Sequence, residues 1–289
     1  MIGEPGPTAT SPDAAPRGRI ADPAAAVASL LDLYGAKLYR LARRMCGNDS
    51  DAEDLVQDVF LQVFRKWGTF RGASAPGTWL FSIAAHSCKA RLRRKGGIDR
   101  RMPAISQLSA CPDRAAASAD RHSPLDDAVE HESVDAVHQA VASLPEHFRL
   151  PLIFKEVLGL SIEQTAEALR LKPQTVKSRL HRARLMLRGA VESGRRPSVS
   201  LPVRYDDQIC RTLLAAKLEA MDEGRPFPAD PRGVCTHCLT TLNDLDFTQR
   251  ACAEMARGSL PARVRDKVLR HLSSRSAAPV AARRRRGSS

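Results

Sequence analysis

Residues 161–188 read SIEQTAEALRLKPQTVKSRLHRARLMLR, and the fold of the chain is decided there. Ser161 followed three residues later by Gln164 is a capping box, in which two side chains reciprocally satisfy orphan backbone N–H groups at a helix start. Ile162, Thr165, Ala166 and Leu169 then recur on one helical face. Arg170, Leu171 and Lys172 make a short connection. Pro173 suits the first turn of a second helix, where its missing N–H costs nothing. Val176, Leu180, Ala183 and Leu187 form the apolar stripe of that second helix. Its other face carries Gln174, Lys177, Ser178, Arg179, His181, Arg182 and Arg184, long donors and short hydroxyls that reach phosphates and base edges. Ala166 is small enough for two helices to cross steeply through a tight turn. A solvated basic face on an ordinary helical hairpin would share part of this pattern. Cap, turn and basic second helix together favour a DNA-reading helix-turn-helix.

Upstream, from Val27 to Lys95, apolar residues again recur at helical spacing, as at Leu31, Tyr34, Leu38 and Leu41, then Leu55, Val59 and Val63. Ser50 and Glu53 read as a second capping box. Asp49, Asp51, Glu53, Asp54 and Asp58 share one stretch without a basic residue. The helix dipole explains two or three acids in a first turn. The remainder, in a chain of net charge +13, points to a docking surface for a basic protein partner. A loop from Thr69 to Gly77 leads into a helix with the apolar stripe Trp79, Leu80, Ile83 and Ala84. Lys89, Arg91, Arg93, Arg94 and Lys95 close that helix. Such a loop beside Trp79 and a basic helix suits an unstacked base.

At 289 residues the chain has room for two or three domains. Aromatic content of 4% fits small helical domains better than a β-sandwich. The positive charge favours a polyanionic partner. No apolar run approaches the roughly 20 residues a membrane span needs, and the Pro- and Ala-rich start lacks a signal-peptide core. Cytoplasmic location without membrane insertion is therefore expected. The expected fold class is all-α, with two small helical domains joined by a flexible linker and a helical Cys-containing C-terminal domain. The segments are a disordered tail over 1–26, a first domain over 27–96, a linker over 97–124, a helix-turn-helix domain over 125–192, a C-terminal domain over 204–272 and a basic tail over 273–289 that carries Arg283 to Arg286. No nucleophile elbow, phosphate-binding glycine loop or helical HExxH motif is visible, so an enzyme is not expected.

There are seven cysteines, an odd count that argues against a disulfide framework. Cys46, Cys88 and Cys111 are scattered. Cys235 and Cys238 are separated by two residues, a spacing that holds one tetrahedral metal from a tight turn. Cys210, on a helical stretch, supplies a third candidate ligand, and His237 or Cys252 a fourth. Buried structural cysteines explain the same residues equally well.

At these residues the sequence resembles the sigma-70 family of transcription initiation factors, specifically its extracytoplasmic-function (ECF) group. Asp51-Ala52-Glu53-Asp54-Leu55-Val56-Gln57-Asp58-Val59-Phe60 looks like the core-polymerase-binding helix of the sigma2 domain. Phe70-Arg71-Gly72, Thr78-Trp79-Leu80 and Ile83-Ala84 look like its promoter-melting part. Leu144-Pro145-Glu146-His147-Phe148-Arg149 and the 161–188 unit look like the sigma4 domain. The resemblance implies that Asp51, Glu53, Asp54, Gln57 and Asp58 face the β′ clamp helices of core RNA polymerase, with the β flap as a further contact. It implies that Phe70, Arg71, Trp79, His86, Lys89 and Arg93 engage the −10 element of promoter DNA. Gln174, Thr175, Lys177, Ser178, Arg179, His181 and Arg182 would then meet the −35 element. The C-terminal layout is similar to zinc-binding anti-sigma domains, which place a His four residues before the CxxC, where this chain has Pro231. No cofactor is required for the sigma role. Zn2+ on Cys210, Cys235, Cys238 and His237 would serve a fused regulatory module, and a separate anti-sigma partner is compatible with the layout. Two other functions share part of the pattern: a LuxR-type regulator that never docks on polymerase, and a metal sensor with secondary DNA contacts.

Overall fold

The computed structural model describes residues 22–94, 126–194, 207–227 and 234–276. The expected linker, most of both tails, Lys95, Cys111, Pro231 and the Arg283–Arg286 run lie outside these residues. Among the described residues there are ten α-helices and no strand, in keeping with the expected all-α class.

The first unit is α1 (Pro23–Cys46), α2 (Asp49–Lys66) and α3 (Pro76–Arg94). Helix α1 starts four residues ahead of the expected Val27. The Asp22 carboxylate accepts from the N–H groups of Ala24 at 2.9 Å and Ala25 at 3.3 Å, and Pro23 fills the first helical position. The cap of α2 is Asn48 rather than Ser50. Its side-chain oxygen accepts from Asp51 N–H at 2.8 Å while its own backbone is extended. Two acceptable capping residues lay two apart, and the earlier one ends the chain reversal at Gly47. Helix α3 lies close on α1: a Cβ on Gly77 would fall 2.7 Å from the Tyr34 ring, so only glycine fits there.

The second unit is α4 (Asp126–Ser143), α5 (Glu146–Leu152), a π turn (Ile153–Val157), α6 (Ile162–Leu169) and α7 (Pro173–Gly194). Buried Arg149 donates from Nε and Nη2 to the Leu144 carbonyl at 3.0 and 2.7 Å. It thereby satisfies a buried carbonyl at the turn between α4 and α5. Pro151 removes a rung of the helical ladder, and the turn after it widens until Leu158 N–H meets the Ile153 carbonyl at 3.0 Å. The capping box is present: Gln164 N–H donates to Ser161 Oγ at 3.1 Å, and Ser161 N–H to Gln164 Oε1 at 2.9 Å. Arg170 ends α6 in the left-handed region at φ 56°. Ser161→Ala should lower stability by about 0.5–2 kcal/mol. Urea unfolding followed by circular dichroism measures this, and an unchanged midpoint would remove the cap from the account of how α6 is started.

The third unit is α8 (Asp207–Glu223), α9 (Thr236–Glu254) and α10 (Ala262–Ser276). Helix α10 continues past Leu272, where a tail was expected. Helix α9 packs on α4, α7 and the π turn, and α10 packs on α1 and α2. One continuous apolar core joins all three units, taking in Phe60 and Phe81 from the first, Phe154 and Leu180 from the second, and Phe247, Val264, Val268 and Leu272 from the third. Phe81 and Phe154 meet edge to face across the first two units, with ring centroids 6.0 Å apart. Gly35 on α1 admits Leu260: a Cβ there would sit 2.9 Å from Leu260 Cδ2. No helix of the described residues is long and apolar enough to cross a membrane.

Candidate functional site

Two charged faces and one thiol cluster carry the chemistry. The acidic face is α2. Ala52, Leu55, Val56, Val59 and Phe60 are buried on one side, which turns Glu53, Asp54, Gln57 and Asp58 outward. Arg91 of α3 holds one part of this face, donating to the Asp51 carbonyl at 2.8 Å and approaching the Asp51 and Asp58 carboxylates at 3.4 Å. Helix α10 holds the other part. Arg263 pairs with Glu53, Lys267 Nζ lies 3.6 Å from Asp54, and the Gln57 amide lies 3.5 Å from His271 Nε2. Arg265 adds a pair to Asp32 of α1 at 2.9 Å. All five expected polymerase-facing residues thus lie on or beside one helix, and three of them are already engaged by the C-terminal unit.

The basic face is α7. Val176, Leu180, Ala183 and Leu187 are buried, as the spacing predicts. Gln174 and Arg182 are exposed, while Thr175, Lys177, Ser178, Arg179 and His181 are half-buried. Arg184 is a correction. It does not share the outer face; it is 2% exposed and clamped between two carboxylates. Its Nη1 donates to Asp222 Oδ1 of α8 at 2.5 Å and its Nη2 to Glu156 Oε1 of the π turn at 2.7 Å. Its own helix placed it beside basic neighbours, and partners 28 residues earlier and 38 residues onward explain its burial. Asp222 also accepts from His181 Nε2 at 3.0 Å, and Glu219 lies 3.6 Å from Lys177 Nζ. Burial alone would raise the Asp222 pKa, but the His181 hydrogen bond and the Arg184 guanidinium outweigh it and hold the carboxyl below its ordinary range. Burial would likewise lower Arg184, and the carboxylates of Glu156 and Asp222 reverse that.

Of the expected −10 set, Arg71, His86 and Arg93 are exposed, and Lys89 is half-buried. Phe70 and Trp79 come together with Trp67, which the sequence marks as an apolar position of helical spacing rather than as part of the loop. Phe70 lies 5.0 Å from Trp79 and 5.4 Å from Trp67, centroid to centroid. Trp67 lies three residues before Phe70, on the 3₁₀ turn that ends α2, and that proximity was the signal. The three rings form a half-exposed platform at the loop.

Cys210, Cys235 and Cys238 converge. All three are buried, and their sulphurs lie within 4.8 Å of one another. Cys235 caps α9, its sulphur accepting from Cys238 N–H at 3.5 Å. Burial and the two neighbouring thiols push the Cys238 pKa well up. Cys252, one candidate fourth ligand, belongs instead to the main core, where burial raises its thiol to about 12. His237 lines a small cavity next to Cys210 and Cys238 but is not among the converging ligand atoms.

A helix-turn-helix with a basic second helix marks a DNA-binding protein, and here it is joined to an acidic helix and an aromatic loop. Residues 30–98 match the Sigma-70 region 2 family and residues 135–187 match Sigma-70, region 4. The chain is 35% identical to the ECF RNA polymerase sigma factor SigE of Mycolicibacterium smegmatis over 55% of this chain and 59% of that protein. It is 31% identical to the ECF RNA polymerase sigma factor SigW of Bacillus subtilis, over 56% of this chain and 87% of that one. With the ECF RNA polymerase sigma-E factor of Escherichia coli the identity is 32%, over 52% and 78%. The chain belongs to the sigma-70 family, in its ECF group of RNA polymerase sigma factors that act in transcription initiation. Both family matches end before α8, so the C-terminal unit is additional to them.

Proposed function

We propose that this chain directs core RNA polymerase to promoters and that the arrangement described above is its closed form, held shut by its own C-terminal unit. One observation supports this: that unit meets each working face with the opposite charge. Basic α10 covers acidic α2, and the acids of α8 cover basic α7. Magnitudes divide the labour. Val264, Val268 and Leu272 of α10 are buried, and each such side chain contributes roughly 1.5–3 kcal/mol when taken from water. Exposed ion pairs contribute far less. The apolar stripe supplies adhesion, and the charges select which surface is covered.

In the open form, Asp51, Glu53, Asp54, Gln57 and Asp58 dock on the β′ clamp helices. Lys177, Ser178, His181 and Arg182 read the −35 element, with Gln174, Thr175 and Arg179 beside them. The loop from Phe70, with the ring platform and the His86, Lys89 and Arg93 face of α3, holds melted −10 bases. Flipping a base costs a few kcal/mol, which stacking at roughly 1–3 kcal/mol per base offsets. The role is binding rather than catalysis, in the cytoplasm, and closure needs no separate anti-sigma protein.

Run-off transcription with purified core polymerase and a genomic fragment library tests this. The intact chain should initiate weakly. A chain carrying Arg263→Glu and Lys267→Glu should initiate a few-fold better, because repulsion then replaces attraction at Glu53 and Asp54. Initiation at no promoter by either protein would end the sigma reading; equal initiation by both would end the closed-form reading.

A further inference from the structure

Val137 and Val141 of α4 are buried in the common core, and Val134 packs against it. His138 lies four residues after Val134 and three before Val141, so it shares that stripe. An imidazole in such company has two ring nitrogens to satisfy. Its Nε2 is buried and has no hydrogen-bond partner. A neutral ring can turn a bare lone pair toward apolar neighbours. A charged ring carries N–H on both nitrogens, and burying the N–H of a cation without an acceptor costs considerably more.

The ring sits where the three units meet, because α4 packs on α1, α7 and α9. Burial works against its charged form, and so does Arg44, half-buried in the last turn of α1. The Ala251 carbonyl and Glu254 of α9 work the other way, as does Asp135 of its own helix. Helix α7 supplies none of these groups. Both carboxylates are exposed, and water and salt screen them. Desolvation and the guanidinium therefore prevail, and they hold the His138 pKa below its ordinary value.

We propose that His138 makes the joint between the three units acid-labile: protonating this ring strands a cation beside Arg44 beneath α9, and the C-terminal unit loosens. The sign follows from linkage. A base that is harder to protonate in the closed form than in the open form withdraws stability from the closed form as pH falls. The loss begins near the ordinary histidine value of about 6.5 and is complete once the pH lies below the depressed value of the closed form. At higher pH the ring is neutral in both forms and costs nothing. His181 against Asp222 and His271 against Gln57 lie on the other seams, and an imidazolium at His181 would hold Asp222 more firmly. The contribution of His138 is therefore the difference between the parent chain and one without this ring. That loosening favours polymerase rests on the closed-form reading above.

The test uses the full chain. An NMR titration of the histidine ring protons, with one signal assigned by its loss in His138→Gln, should place this ring below the ordinary histidine range. Amide exchange over 236–254, corrected for its intrinsic pH dependence, should show α9 opening more often at about pH 5.5 than at about pH 7.5. That increase should be a few-fold larger in the parent than in His138→Gln. Arg44→Gln keeps the imidazole but removes the repelling charge, so it should raise the titration of the ring and shrink the increase, which a purely structural role for His138 would not produce. A ring that titrates at or above the ordinary range overturns the switch, and so does an equal increase in parent and His138→Gln. Should His138→Gln misfold, Arg44→Gln decides, and an undiminished increase in it overturns the switch. Affinity for core polymerase at the same two pH values should rise a few-fold more in the parent than in His138→Gln. Acid opening of α9 without that rise overturns only the link to polymerase. A run-off yield unmoved by Arg263→Glu and Lys267→Glu overturns the closed form and leaves the exchange result standing.

Discussion

Replacing Asp222 with alanine should release the recognition helix and strengthen binding to −35 duplex DNA by as much as roughly a hundredfold, about 3 kcal/mol at 1.4 kcal/mol per factor of ten. Asp222 is the buried hub of the contact between α8 and α7. Its side chain is 1% exposed and accepts from both Arg184 and His181. Removing one member of a buried ion pair costs roughly 3–5 kcal/mol, mostly because the remaining charge is stranded. That cost falls on the closed form alone. With α8 withdrawn, Arg184 keeps Glu156 at 2.7 Å and gains water where Asp222 had been, so the second unit stays folded. Fluorescence anisotropy at one fixed salt concentration reads the affinity, since phosphate contacts make any comparison across salts meaningless. Unchanged affinity in a variant whose α8 amides exchange fast would show that α8 does not mask α7.

The second large effect is expected at Val268. This side chain is fully buried at the centre of the α10 stripe, facing a helix whose outer residues are acidic. Val268→Asp forfeits roughly 1.5–3 kcal/mol of apolar burial and would bury a carboxylate without a partner, which costs still more. Helix α10 should leave α2, and affinity for core polymerase should rise at least about tenfold, the equivalent of 1.4 kcal/mol. Val268→Leu, which keeps the stripe, should stay near the parent chain. An equilibrium titration of labelled core polymerase measures both. If Val268→Asp frees α10, as judged by fast amide exchange over 262–276, and polymerase affinity does not move, then α2 is not the docking face.

These two positions show where sequence reading succeeds and where it stops. The helix-turn-helix was legible in its cap, turn and apolar stripe because those signals are local: a cap at Ser161, an apolar period, a proline at the second helix start. The acidic helix was legible for the same reason, although its cap lay at Asn48. Arg184 was misplaced because a helix's own periodicity says nothing about an aspartate from another helix. The role of α10 was hidden in the same way. Val264, Val268 and Leu272 mark an apolar stripe flanked by Arg263 and Lys267, and that pattern was readable as a helix wanting an acidic partner. Nothing in the order of residues says that the partner is α2, more than 200 positions earlier. The thiol cluster was half legible. Its CxxC is a local signal, whereas the separation of Cys252 from it is a matter of packing.

The C-terminal unit is tethered to the faces it covers, and α8 begins at Asp207 a short way beyond the end of α7 at Gly194. A short tether holds a binding unit at an effective concentration in the millimolar range. Closure is then unimolecular, so its balance does not change when the protein is diluted or overproduced. Making more of this chain would multiply closed molecules in proportion. Free polymerase, at far lower concentration than the tethered unit, competes poorly for α2 until something weakens closure from within. In such a molecule output follows the state of the latch rather than the copy number.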